Sequence, residues 1–126
     1  RSRGLGDVYK RQISTRGDEI MVGDKSIRYF SDPDPRKASW GELDIDLVLE
    51  CTGCFASGEK SSSHLDAGAS RVLISQPASG VDKTIVFGVN HETLSDSDLI
   101  ISNASCTTNC LAPLAKVIND NFEIKE

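Results

Sequence analysis

Short apolar runs, separated by turn residues, divide most of the sequence into alternating strands and helices. Residues 45–49 are apolar apart from Asp46, and we interpret them as a strand that is buried on both faces. Residues 59–68 predict a short helix that ends at a glycine, and residues 72–74 predict the next strand. A strand, a helix and a strand in this order form a βαβ unit, so the pattern indicates a parallel pair with a right-handed crossover.

Further strands are predicted on both sides of this unit. Residues 19–22 and 26–30 flank the pair Gly23-Asp24, and such a pair between apolar runs is typical of an antiparallel hairpin. The C-terminal part adds two strands and a helix, at residues 84–87, 99–101 and 111–119. The whole pattern predicts an α/β fold.

Charge and composition exclude several classes of partner. The chain has 126 residues and a net charge of −5, from 14 basic and 19 acidic residues. It has no basic patch of the kind that binds nucleic acid or a membrane surface. No apolar run approaches the roughly 20 residues that span a bilayer. The four cysteines lack the spacing of a disulfide framework, which favours reduced thiols in the cytoplasm.

The first twelve residues differ from the rest. They contain four basic residues and one acidic residue. Gly4 and Gly6 do not form a phosphate loop, because no strand precedes them and the third glycine is missing. We interpret residues 1–12 as a non-native leader and assign no fold to them.

A cysteine lies at the junction between the strand at residues 99–101 and the following helix. Unpaired backbone N–H groups and the positive end of the helix dipole meet at such a junction, so a thiolate is stabilised there. Cys106 is therefore a candidate nucleophile. The alternative is a buried structural cysteine near a helix start.

Three other residues follow the predicted parallel strands. Thr52 and Gly53 come after the strand at residues 45–49, and Ser75 comes after residues 72–74. Ligands of open α/β sheets bind beyond the carboxyl ends of the strands. A glycine lets a ligand approach the backbone closely, and the two hydroxyl groups can hydrogen-bond ribose or amide groups. Each residue can also be an ordinary loop residue.

The stretch ISNASCTTNCLAP, at residues 101–113, resembles the active-site segment of the phosphorylating glyceraldehyde-3-phosphate dehydrogenases. Upstream segments match the same family in order and spacing, at residues 46–53, 64–69, 72–77 and 86–91. The resemblance covers residues 13–126 and is specific to this family.

The resemblance implies an NAD-dependent oxidoreductase. The Cys106 thiolate would attack the aldehyde of glyceraldehyde 3-phosphate, and inorganic phosphate would release the product from a thioester. Ser105 and Thr107 are implied to bind substrate or phosphate beside Cys106. The implied cofactor contacts are Thr52, Gly53 and Ser75. NADP stays an alternative, because the acidic residue that reads the ribose 2′-hydroxyl lies upstream of the matching segment.

The resemblance also implies a domain organisation. Residues 13–104 would be the C-terminal half of a Rossmann-type NAD-binding domain, and residues 105–126 would begin the catalytic domain with its first helix. The family's glycine-rich fingerprint and its cysteine-activating histidine have no match in the sequence. We therefore expect an internal piece of a longer enzyme, whose relatives are homotetramers.

Two alternatives stay open. The related erythrose-4-phosphate dehydrogenases share the cysteine segment, although residues 111–116 are more similar to the first family. The chain by itself would alternatively be a catalytically inactive, partial cofactor-binding domain.

Zinc binding is disfavoured. Cys51 and Cys54 have a spacing found in zinc sites, but they surround the implied cofactor turn. His64 is expected on a polar helix face, and His91 is expected in a loop, so neither completes a ligand set. We expect no metal.

Overall fold

The computed structural model describes residues 13–125. The predicted leader at residues 1–12 lies outside this range. The chain divides into two units, residues 1–33 and 34–126.

The described part of the first unit is a three-stranded antiparallel sheet. Its strands are β1 (Ile13–Arg16), β2 (Glu19–Val22) and β3 (Lys25–Arg28). The predicted hairpin is confirmed between β2 and β3, where Gly23 takes a φ of 65°. The sequence analysis missed β1, whose four side chains are exposed and show no apolar run.

A four-stranded parallel sheet forms the centre of the second unit. Its strands are β4 (Leu47–Glu50), β5 (Arg71–Ile74), β6 (Lys83–Thr84) and β7 (Ile100–Ser102), in the order β4-β5-β7-β6. Helix α1 (Gly58–Asp66) connects β4 to β5, which confirms the βαβ unit. Short 3-10 turns lie at Pro35–Ala38, Trp40–Leu43 and His91–Thr93. The strand predicted at residues 84–87 was wrong in extent, since only Lys83–Thr84 pair with β7.

The core lies on one face of this sheet. Val72 and Ile74 are completely buried, and Ile100 packs beside them. Leu65 of α1 packs against the same cluster. Burial of these aliphatic side chains is the main stabilising contribution to such a unit, at about 1.5–3 kcal/mol for each fully buried side chain.

Strand β4 is not buried on both faces, so that prediction was wrong. Val48 and Glu50 are buried, whereas Leu47 and Leu49 are 46% and 61% exposed. The reason is its position at the edge of the sheet. The side chains of a strand alternate between two faces: Val48 and Glu50 share the buried face, where His64 of α1 contacts Glu50, and Leu47 and Leu49 lie on the other face.

Helix α2 (Cys106–Phe122) begins at the predicted junction with Cys106 and extends beyond the predicted end at residue 119. Ser105 is its N-cap, and the Ser105 hydroxyl accepts a hydrogen bond from the backbone N–H of Thr108 at 2.9 Å. The helix exposes large apolar side chains, at Leu111, Leu114, Val117, Ile118 and Phe122. In the part of the chain that the structure describes, no helix combines the length and apolarity needed to cross a membrane.

Candidate functional site

The carboxyl ends of three parallel strands meet at one edge of the sheet. The register pairs Glu50 of β4 with Ile74 of β5, and Ile74 with Ser102 of β7. All six candidate residues follow these strands: Thr52, Gly53, Ser75 and Ser105 lie in the connecting loops, and Cys106 and Thr107 lie in the first turn of α2. The structure therefore brings the predicted nucleophile and the predicted cofactor contacts to the same edge.

Hydrogen bonds tie the three loops to one another. The Ser75 N–H donates to the Glu50 carbonyl at 3.0 Å, and the Asn103 N–H donates to the Ile74 carbonyl at 2.9 Å. The Ser102 hydroxyl donates to the Gln76 carbonyl at 2.7 Å. Each bond joins a loop residue to the last residue of a neighbouring strand, so the bonds fix the positions of the loops relative to the sheet.

Residues 51–54 form the turn that contains the predicted cofactor contacts Thr52 and Gly53, and we call it the cofactor turn. The backbone N–H of Thr52 donates to Glu50 Oε1 at 2.7 Å, and the Thr52 hydroxyl donates to the same oxygen. Gly53 has a φ of 80°, a backbone conformation that residues other than glycine rarely adopt. The amide of Gln76 donates to the Gly53 carbonyl at 3.2 Å. Because the Thr52 hydroxyl already donates its proton to Glu50, it can only accept a hydrogen bond from a ligand.

A buried pair lies directly beneath this turn. His64 Nε2 and Glu50 Oε2 are 3.0 Å apart, and the side chains are only 7% and 3% exposed. Burial raises the pKa of Glu50, but the hydrogen bonds from Thr52 and His64 lower it by more than burial raises it. The pKa of Glu50 therefore lies below its usual value of 4.5. The carboxylate is therefore the stable form of Glu50 near neutral pH.

His64 lies on a helix face without apolar residues, as predicted, but that face is buried, which the sequence did not indicate. The buried face of α1 consists of Gly58, Ser61 and His64, which recur every three residues but carry no apolar signal. Glu50 was also missed as a site residue. The available signal was its place in β4, because it shares the buried face of the strand with Val48.

Cys106 is the first residue of α2, and it is exposed. The alternative of a buried structural cysteine is therefore wrong in this structure. Its sulfur lies where the first-turn N–H groups of a helix have no partner within the helix. Such a position favours a bound anion, for example a phosphate group.

The chain turns sharply between β7 and α2. Ala104 is buried and has a φ of 59°, which is strained for a residue with a Cβ atom. Its N–H donates to the Ser102 hydroxyl at 3.1 Å. The Asn109 amide donates to the carbonyls of Asn103 and Ser105 at 2.7 and 2.9 Å. These residues, which the sequence analysis did not single out, fix the approach to Cys106.

All four cysteines are free thiols. The His91 ring accepts a hydrogen bond from the Gly88 N–H at 3.0 Å, at the 3-10 turn after residue 90. Across residues 13–125, no three His, Cys, Asp or Glu side chains are arranged to hold a metal ion.

Comparison with known protein families gives two matches. Residues 5–58 match the NAD-binding domain of glyceraldehyde 3-phosphate dehydrogenase, and residues 105–126 match its C-terminal domain. The first match begins at residue 5, so it includes most of the segment that we interpreted as a leader. Together with the parallel sheet, these matches confirm the predicted Rossmann-type α/β fold.

Individual relatives agree with the family matches. A glyceraldehyde-3-phosphate dehydrogenase of Clostridium pasteurianum is 50% identical over 118 residues, which are 94% of this chain and 35% of that protein. The enzyme of Chlamydia trachomatis is 52% identical over 85% of this chain and 32% of its own length. That of Xanthobacter flavus is 50% identical over 91% of this chain and 34% of its length. The chain thus spans about a third of the length of these relatives.

Proposed function

Because the chain belongs to the glyceraldehyde-3-phosphate dehydrogenase family, we propose that it forms part of a glycolytic oxidoreductase. The enzyme would convert glyceraldehyde 3-phosphate, inorganic phosphate and NAD to 1,3-bisphosphoglycerate and NADH. One observation carries this proposal. An exposed cysteine begins helix α2 at the same sheet edge as the turn of Thr52 and Gly53.

Cys106 is the proposed nucleophile. Its thiolate attacks the aldehyde carbon, so that a C–S bond forms and the carbonyl oxygen takes up a proton to give a thiohemiacetal. The chemistry that bound NAD would supply is acceptance of a hydride, and loss of this hydride together with the hydroxyl proton, which goes to a base, leaves a thioester on Cys106. An oxygen of inorganic phosphate then attacks the acyl carbon, the C–S bond breaks, and the thiolate is restored. Covalent capture divides one difficult step into easier ones.

Ser105 and Thr107 are proposed to bind the substrate or phosphate oxygens. Ser105 is half-buried and its hydroxyl caps α2, while Thr107 is exposed beside Cys106. Since the N–H groups of the first helical turn favour anions, both residues lie where a phosphate group would be stabilised.

Thr52, Gly53 and Ser75 are the proposed cofactor contacts, and their chemistry fits a nicotinamide dinucleotide. All three are exposed at the carboxyl ends of β4 and β5. Gly53 exposes backbone without a side chain, Thr52 offers an acceptor oxygen, and Ser75 offers a hydroxyl group. Contacts of this kind suit the amide and ribose groups of NAD, and NADP would make the same contacts at this end of the molecule.

Properties of the whole enzyme are also part of the proposal. We expect a cytoplasmic homotetramer, and we expect the 126-residue chain by itself to be inactive. Both histidines in the sequence have other hydrogen-bond partners: His64 contacts Glu50, and His91 accepts from Gly88. Neither is available to take the proton of Cys106, so the general base must come from elsewhere in the enzyme.

The test uses the full-length protein that contains this chain. Formation of NADH is measured with glyceraldehyde 3-phosphate, phosphate and NAD for the wild type, for Cys106→Ser and for the matched control Cys110→Ser. We expect Cys106→Ser to abolish turnover and to leave NAD binding intact, because a serine hydroxyl is a much poorer nucleophile. Substantial activity of Cys106→Ser would refute the assigned role. A higher kcat/KM for erythrose 4-phosphate would favour the other dehydrogenase.

A further inference from the structure

A chain of hydrogen bonds runs from a half-buried tryptophan to the cofactor turn. Trp40 Nε1 donates to His64 Nδ1 at 3.2 Å, and His64 Nε2 lies 3.0 Å from Glu50 Oε2. The other carboxylate oxygen of Glu50 accepts both hydrogen bonds from Thr52. This series of hydrogen bonds therefore joins the 3-10 turn at Trp40–Leu43, helix α1, strand β4 and the cofactor turn.

The chemistry of its members fixes the direction of this chain. An indole N–H can only donate a hydrogen bond, so Nδ1 of His64 must accept. The proton of neutral His64 is then on Nε2, from which it is donated to Glu50. A carboxylate only accepts, so both donors of Thr52 are satisfied by the same side chain. Since His64 and Glu50 are buried, a mismatched donor or acceptor would have no water to replace its partner.

The turn at the end of this chain depends on these contacts. Cys51, Thr52, Gly53 and Cys54 are all exposed, so packing does not hold them. The Thr52 hydroxyl, which Glu50 orients, accepts a hydrogen bond from the Cys54 N–H at 3.1 Å. Apart from Glu50, the described side chain that holds the turn is Gln76, through its bond to the Gly53 carbonyl.

We infer that Trp40, His64 and Glu50 are positioning residues, which hold Thr52 and Gly53 in the conformation that receives the nicotinamide cofactor. This inference rests on the proposed function of the turn. Without the carboxylate, Thr52 loses two hydrogen bonds and the turn samples other conformations. Ordering the turn would then oppose binding. Binding of the aldehyde at Cys106, on α2, does not involve these bonds.

The test compares four variants of the full-length protein by steady-state kinetics. Glu50→Gln cannot satisfy every bond in either orientation of its amide. With the N–H groups toward Thr52, two donors face each other. With the N–H groups toward His64, they face Nε2–H, and a switch of tautomer would place Nδ1–H against the indole of Trp40. We expect Glu50→Gln and His64→Leu to raise the KM for NAD about tenfold, which corresponds to the loss of one good hydrogen bond. The kcat and the KM for glyceraldehyde 3-phosphate should stay within about twofold of the wild-type values, a much smaller change than the tenfold rise in the KM for NAD.

Two further variants separate positioning from folding. In His64→Gln, the new side-chain carbonyl can accept the hydrogen bond from Trp40 while the side-chain N–H donates one to Glu50. This variant should therefore keep the KM for NAD within about threefold of the wild-type value. His91→Gln is the matched control, because His91 lies outside the chain of hydrogen bonds. The inference is wrong if kcat, both KM values and the unfolding temperature change together, or if His64→Gln behaves like His64→Leu.

A second measurement does not depend on catalysis. Amide hydrogen exchange of Thr52 and Cys54, whose N–H groups are hydrogen-bonded in this turn, should accelerate at least about tenfold in Glu50→Gln and His64→Leu, while core amides of β5 stay protected. Unchanged exchange would overturn the inference even if the enzyme is active. If exchange accelerates but the wild type shows no turnover with NAD, the positioning role stands and the proposed function fails.

Discussion

Gly58 at the start of α1 lies directly against the carbonyl group of Gly80. A Cβ atom at position 58 would be only 1.9 Å from that carbonyl oxygen. The Gly58 N–H also donates to the Ser79 carbonyl at 2.8 Å. The first turn of α1 is therefore fixed against the loop that follows β5, near the sheet edge that holds the candidate site.

Gly58→Ala should destabilise the protein because backbone must move to admit the methyl group. We expect a loss of about 1–3 kcal/mol, the usual range for overpacking, measured by denaturant unfolding of the full-length protein. Gly41→Ala is the matched control, since its Cβ atom would be 3.4 Å from the nearest atom, Gly68 Cα. Equal losses in the two variants would contradict the close contact.

The hydrophobic pattern predicted the fold well where apolar residues carry the packing. Val72 and Ile74 lie in a predicted strand and form the centre of the core. The pattern failed for β4, because Leu47 and Leu49 are apolar but face away from α1. A run of apolar residues does not reveal whether its strand lies at the centre or at the edge of a sheet.

The site could be predicted only in part. Cys106 and the turn of Thr52 and Gly53 follow from their places after parallel strands. The pair of Glu50 and His64 could not be predicted, because it joins residues fourteen positions apart on different elements. Its members are polar, and burial becomes favourable for them only through hydrogen bonds that a sequence pattern does not show.

The lowered pKa of Glu50 predicts a specific loss of stability in acid. As pH falls, Glu50 takes up a proton near its usual pKa of 4.5 in the unfolded chain, but only at a lower pH in the folded protein. The contribution of the carboxylate is therefore complete above that pH and is lost as pH falls through the folded-state pKa. The difference in unfolding temperature between the wild type and Glu50→Gln should shrink as pH falls from 7 toward 3.

Glu59→Gln is the matched control for this titration, because Glu59 is exposed on the same unit. Its difference from the wild type should stay small throughout. If the wild type and Glu50→Gln lose stability in parallel on acidification, Glu50 does not carry the predicted linkage.

Cys106 should alkylate faster than the other three cysteines near neutral pH. All four thiols are exposed, so access does not distinguish them. Only Cys106 lies at the start of a helix, where the helix dipole attracts anionic groups with an effect of about 0.3–1 kcal/mol. The advantage in the isolated chain should therefore be no more than several-fold.

Brief iodoacetamide treatment followed by peptide mapping measures the order in which the cysteines are labelled, with Cys110 as an internal control on the same helix. Earlier labelling of Cys51 or Cys54 would contradict the prediction.

The 126-residue chain by itself should be inactive and prone to self-association. Leu49 of β4 is 61% exposed, and Leu111, Val117 and Phe122 of α2 are 60%, 60% and 81% exposed. Apolar surface of this extent on one sheet face and one helix normally has a partner, and most of the stability of a helix in a protein comes from packing of its apolar face. We expect strong binding of an apolar fluorescent dye, a concentration-dependent mass in sedimentation, and no NADH formation.

The full-length protein, assayed in parallel, should bind little dye and show turnover. Turnover by the isolated chain, or a monomer that binds no dye, would show that these residues are sufficient for a folded and active unit.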